Sequence, residues 1–127
     1  MPVASQVLAS IAALLHIVFF LFESVLFKDE KIQKRFFVPR DAAESVRVWA
    51  FNQGFYNLFL ALGVIVGLLG VHGAVPLDIS SSRMLVLFPC ACMVGAGIVL
   101  AFTDKRMLRA AIVQLGFPLI AIVIALL

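Results

Sequence analysis

Charge is what this chain has least of. Lys, Arg, Asp and Glu make up 13% of its residues and hydrophobic residues 64%, against roughly 25% charged in an average soluble domain. That balance excludes an ordinary water-soluble domain and points to the bilayer. Cysteine and histidine are scarce too. Cys90 and Cys92 stand two apart on one expected helix, about 200° around its axis, so they face different ways and cannot bridge each other. His16 and His72 fall at very different depths, which leaves no closed nitrogen and sulfur site for zinc. No basic segment precedes the first apolar run, whose first cation is Lys28. The run is also longer than the core of a signal peptide, so an uncleaved first span is expected.

What the chain has in abundance is long apolar sequence. A hydrocarbon core of about 30 Å takes roughly 20 helical residues to cross, and four stretches meet that length. The expected architecture is all-α: one transmembrane domain over residues 1–127, an antiparallel four-helix bundle with helices at about 3–27, 41–71, 82–102 and 106–127. Lys28, Lys31, Lys34, Arg35, Arg40 and Arg47 belong to the first connection, and Lys105, Arg106 and Arg109 to the third; only Arg83 lies on the other side. Short cytoplasmic loops are enriched in such cations. A multi-pass protein of the inner (plasma) membrane with both termini non-cytoplasmic is therefore expected. The net charge of +3 is accounted for by this topology, and Asp29, Glu30, Asp41 and Glu44 interrupt the basic residues. No nucleic-acid partner is expected; membrane lipid is.

Polar residues inside the spans carry the functional argument, because lipid offers them no hydrogen bond. In the first span His16 and Glu23 are seven apart and so share a helical face, which Phe20 and Phe27 continue. Glu23 is either hydrated at the headgroup boundary near Lys28 or a partner for the second span. His16 reads as a neutral imidazole bonded to another helix, with a haem ligand or proton relay as the alternative. Ile32, Phe36 and Phe37 alternate with charge as in a segment lying along the headgroups. Asp41 and Glu44 have the spacing of a capping box for the second helix. Arg40 and Arg47 then stand at the mouth of the bundle, to meet lipid phosphate or an anionic ligand group.

The second span opens with the densest polar cluster, Asn52, Gln53, Tyr56 and Asn57. Asn52 and Tyr56 are four apart, as are Gln53 and Asn57, giving a broad polar face. Three amides and a phenol within two turns exceed the adhesion of about 1 kcal/mol that one amide supplies. Gly63 and Gly67, like Gly95-Ala96-Gly97, favour close helix approach. Pro76, Asp78 and three serines form a turn with a helix cap. Thr103-Asp104 can cap the fourth helix, which is apolar apart from Gln114 and a break at Gly116 and Pro118. Counting depth at about 1.5 Å per residue brings Glu23, Asn52, Gln53 and Gln114 to one level, with His16, Tyr56 and Asn57 deeper. One cavity open toward the cytoplasmic leaflet is expected.

The stretches Leu15-His16-Ile17-Val18-Phe19-Phe20-Leu21-Phe22-Glu23, Asn52-Gln53-Gly54-Phe55-Tyr56-Asn57-Leu58-Phe59-Leu60-Ala61 and Val113-Gln114-Leu115-Gly116-Phe117-Pro118 resemble a family of small bacterial membrane proteins. That family is known as domain of unknown function thirteen-oh-four; the resemblance implies topology and no activity. Arg47, Asn52, Tyr56 and Leu58-Phe59-Leu60-Ala61 are more distantly similar to the second helix of the membrane-associated eicosanoid and glutathione metabolism superfamily. That likeness implies a homotrimer with sites between protomers. Phe55 stands where its glutathione enzymes carry a glutamate, a departure that counts against glutathione chemistry. The styrene oxide isomerases, also trimeric four-helix proteins, hold haem by a histidine early in the second helix. Asn52 and Gln53 stand there instead, so no haem carries over and the cofactor stays unknown.

Three readings follow. In the first, a small lipophilic or amphiphilic molecule is bound or converted, with Asn52, Gln53, Asn57, His16 and Gln114 orienting it. Glu23 or Tyr56 then exchanges a proton as the catalytic group, and Arg47 meets an anionic end. In the second, Glu23 couples protons to export, as in small multidrug exporters, although the lopsided cations oppose dual topology. In the third, the polar face docks a partner in an accessory or assembly role.

Overall fold

The computed structural model describes the whole chain, residues 1–127, as helices joined by short connections with no strand. Helix α1 covers Val3–Phe20 and continues into a π-helical turn, Leu21–Val25. The short α2 covers Glu30–Arg35, α3 Ala43–Val71, α4 Ile79–Thr103 and α5 Leu108–Leu126, with single 3-10 turns leading into α3 and α5. Four of these helices are long and apolar enough to cross a membrane. Together they form a four-helix membrane bundle, as composition and span length require.

Around the bundle α1 packs on α3 and α5, α3 on α4, and α4 on α5. The first span therefore touches the second and the fourth, which face each other across the bundle. Small side chains make this possible. Half of the buried residues are Ala or Gly, such as Ala9, Ala12, Ala61, Gly67 and Ala121, whereas Trp49, Phe88 and Phe102 point outward. This inverts the pattern of a soluble core. Between membrane helices lipid is as apolar as leucine, so association relies on close packing of small residues and on interhelical hydrogen bonds. Cβ atoms built on Gly67 would come within 2.8 Å of the Ser82 carbonyl oxygen and the Val86 nitrogen, so α3 and α4 meet nearly backbone to backbone. Gly97 makes the same approach to Leu115 and Ala111 of α5, while Gly95 faces open space.

Helix ends follow their local chemistry with one exception. Asp78 caps α4 by accepting from the Ser81 amide at 2.9 Å, and Asp104 accepts from the Arg106 amide at 2.9 Å where the chain turns into α5. Asp29 accepts from the Lys31 amide and starts α2, whose Arg35 stacks on Phe22. The capping box expected of Asp41 and Glu44 does not form. A 3-10 turn, Arg40–Ala42, absorbs Asp41 behind Pro39, and the Glu44 carboxylate takes Arg47 at 2.7 Å. The break expected at Gly116 and Pro118 is also absent, and α5 runs unbroken through both. Proline within a membrane helix is accommodated by its neighbours, at the cost of the bond its missing N–H would give the residue four back, Gln114.

The Ser81 side chain and amide hold the Asp78 carboxyl below its ordinary value of 3.8. A carboxyl depressed on folding contributes stability above its unfolded pKa and loses it as pH falls through the folded value. Asp78→Ala is accordingly expected to fray the first turn of α4, read as faster amide exchange at Ser81. Acid below about pH 4 should lower the protection factor of the same amide, relative to its intrinsic exchange at that pH, in the unmodified protein.

Candidate functional site

The π-helical turn positions the site. Its defining bond runs from the Leu26 amide to the Leu21 carbonyl, five residues back, at 2.8 Å. The wider turn lets two consecutive residues, Glu23 and Ser24, both address α3. Ser24 Oγ donates to the Phe51 carbonyl oxygen at 2.8 Å, and Glu23 Oε2 accepts from Asn57 Nδ2 at 2.7 Å. Gly54 lies between these contacts, with Ser24 Oγ occupying the space a Cβ would need. Of the two sequence readings for Glu23, the partner of the second span is the one the geometry takes.

Beside this pair lies a cavity of about 480 Å³, within the range of small-molecule sites, roughly 300–1,000 Å³. All four long helices contribute to it. Glu23, Gln53, Asn57 and Gln114 supply polar groups, Thr103 adds a hydroxyl, and the remaining wall is apolar, with Phe19 and Phe36 among it. Thr103 Oγ1 donates to the Val99 carbonyl at 2.7 Å. The cavity sits at the end of the bundle that carries the first and third connections, where the cations gather. Phe36, expected to lie along the headgroups, instead folds from the end of α2 over the cavity. No pattern in the sequence marked it for this position.

The polar cluster of the second span is divided by the rotation of α3. Gly54, Asn57, Ala61 and Val64 face inward, which takes Gln53 to the cavity wall. Asn52 lies about 140° from Asn57 around the axis and Tyr56 about 100°; both are exposed on the outside of the bundle. The expected broad face is thus two faces, one on the cavity and one on the periphery.

Arg47 stays out of the cavity. It borders, with Lys28 and Phe51, a crevice of about 50 Å³ that reaches Glu23 from the other side. His16 is buried in the core and does not line the cavity. The bond to another helix expected of it is replaced by one within α1: Nδ1 lies 2.8 Å from the Ala12 carbonyl oxygen, which requires Nδ1 to carry the proton. Nε2 is left without a partner, and an unbonded buried nitrogen costs about 1–3 kcal/mol. No three His, Cys, Asp or Glu side chains come together as a metal ion would need. Cys90 is buried and Cys92 half-buried, both free thiols.

Gln6 and His72 meet at 2.8 Å at the opposite end, where Ser5 Oγ donates to the Ala121 carbonyl at 2.7 Å and Arg83 to the Ala125 carbonyl. These contacts tie helix ends together and are remote from the cavity. No curated protein and no solved structure matches the chain. The family model described as "Protein of unknown function (DUF1304)" matches residues 10–126, nearly the full length of a chain whose four-helix membrane fold suits the match, and the chain belongs to that family.

Proposed function

We propose that this protein binds, and in an enzymatic role converts, a small lipophilic or amphiphilic molecule drawn from the cytoplasmic leaflet. The observation that carries this reading is the cavity itself. It combines a largely apolar wall with four converging polar side chains, and adhesion between helices uses only one pair of them, Glu23 and Asn57. Glu23 is the group in it able to exchange a proton, while Gln53, Asn57 and Gln114 orient the ligand. Tyr56 has no place in this cavity within one chain. The basic end is the cytoplasmic end in this proposal, by the bias of Lys and Arg toward that side. The membrane is the inner membrane. A homotrimer is proposed on the resemblance of α3 to trimeric four-helix proteins.

The test is purification in mild detergent, with native mass, absorption spectrum and mass spectrometry of any co-purifying small molecule. A lipophile bound at constant stoichiometry, or a cofactor band, is the expected result. A ligand-free protein whose cavity admits no small apolar probe sinks the reading.

A second reading is favoured by the exposed Asn52 and Tyr56. Polar groups on the outer face of a membrane helix gain from a partner helix that satisfies them. An accessory subunit would then bring a stoichiometric partner through mild extraction and lose it on Asn52→Leu. Proton movement driven by substrate and abolished by Glu23→Gln would instead mark a small exporter.

A further inference from the structure

The cavity is chemically lopsided in a way that narrows its ligand. Glu23 is its single ionisable side chain, and no Lys, Arg or His is among the residues that line it. Three of the nine cations of that end are paired with other carboxylates. Arg40 is held by Glu30, Arg47 by Glu44 and Arg106 by Asp104, each at 2.7 Å, and Arg106 also stacks on Phe37 with its guanidinium 4.8 Å from the ring centre. A carboxylate inside a membrane bundle is stabilised by a proton or by a cation brought to it.

Only one of its oxygens is used by the protein. Oε2 accepts from Asn57, and Oε1 has no partner and remains open. The side-chain amides of Gln53 and Gln114 face the same space without a hydrogen bond inside the chain, so their carbonyl oxygens are available as acceptors. Phe19 and Phe36 add aromatic rings to the lining, and aromatic rings attract cations to their faces. Acceptors, a carboxylate and aromatic rings, with no cation to offset them, form a receptor for positive charge.

We propose that the cavity selects cationic amphiphiles, a primary ammonium head at Glu23 carrying a short apolar tail along Phe19, Val99 and Leu100. This rests on the lipophile-binding role proposed above and names its ligand class. An anionic head is rejected because it would meet Glu23 with no lining cation to compensate. Arg47, expected from the sequence to receive such a head, lies in the separate crevice beyond Glu23.

The test uses the intact protein in discs of zwitterionic phosphatidylcholine, titrated calorimetrically with hexylammonium, 1-hexanol and hexanesulfonate, with empty discs subtracted. Hexylammonium is expected to bind at least about tenfold tighter than hexanol, the increment of one charge-assisted hydrogen bond, and hexanesulfonate more weakly than either. Glu23→Gln should abolish the preference, bringing hexylammonium down to about the affinity that the same variant shows for hexanol. Glu23→Asp should keep the preference for ammonium at reduced affinity.

Equal binding of hexanol and hexylammonium by the unmodified protein overturns the cation preference while leaving a lipophile site in place. A preference that survives in Glu23→Gln overturns the role of Glu23. Binding of none of the three above empty discs overturns the lipophile reading together with this one. The comparison among the three probes needs no variant, so it decides the question even if Glu23→Gln does not fold.

Discussion

Gly67→Ala is expected to lower the stability of the bundle by about 2 kcal/mol, the usual cost of overpacking a filled interface. The added methyl group would press on the Ser82 carbonyl oxygen, the Val86 nitrogen and Val86 Cγ2, each 2.8 Å away. Two of those three atoms are backbone, so no side-chain rotation relieves the contact and α3 must separate from α4. Separation spreads along the helix pair. A Cβ at Gly63 would come within 3.0 Å of Pro89 Cγ and one at Gly70 would meet the Ser82 side chain on the same face, so both close approaches loosen with it. Reversible unfolding in detergent measures the effect. Gly95→Ala is the control, since a methyl group there meets nothing within 4 Å. It should be neutral or stabilising by roughly 0.5–1 kcal/mol, from the conformational freedom alanine removes in the unfolded chain. Equal losses in the two variants would show that α3 and α4 are not in the close contact described.

Asn57→Leu is expected to cost about 1–3 kcal/mol, although leucine is close to asparagine in size and suits an apolar interior. The loss comes from Glu23, whose carboxylate gives up its one hydrogen bond within the protein. A double-mutant cycle separates this from simple packing. Glu23→Leu combined with Asn57→Leu removes both polar partners, and replacing such a pair together is far less costly than breaking it. The two changes should therefore fall short of additivity by at least about 1 kcal/mol. Additive effects would mean that the two side chains do not meet. Asn52→Leu, on the outer face, should leave the stability of the single bundle nearly unchanged, because that amide has no partner within the chain.

Much of this was legible in the order of residues. Length and apolarity alone marked four spans, because a membrane demands about 20 apolar residues per crossing and hydrogen-bonded backbone throughout. Asp78 and Asp104 announced their helix starts, since a short carboxylate before a helix reaches the free amides of its first turn. Depth was legible as well. Counting residues from the basic connections placed Glu23, Asn52, Gln53 and Gln114 at one level; Glu23, Gln53 and Gln114 line one cavity together with the deeper Asn57, while Asn52 does not.

Rotation was not legible. In a soluble helix the apolar stripe shows which side turns inward, but on α3 the outside is as apolar as the inside, because lipid and core are both hydrocarbon. Gly54, Ala61 and Gly67 decided the matter by close approach to α1 and α4, sending Gln53 and Asn57 to the cavity and leaving Asn52 and Tyr56 outside. The π-helical turn was equally silent in the sequence, since it depends on Ser24 and Glu23 both finding partners on α3. It also explains why the seven-residue spacing of His16 and Glu23 did not make them neighbours in function: His16 ends in the core and Glu23 on the cavity. Composition and span length were enough to specify the four-helix fold and the basic end of the bundle. Which of the polar groups share a cavity was decided by the tertiary structure, because only packing sets how far each helix is turned.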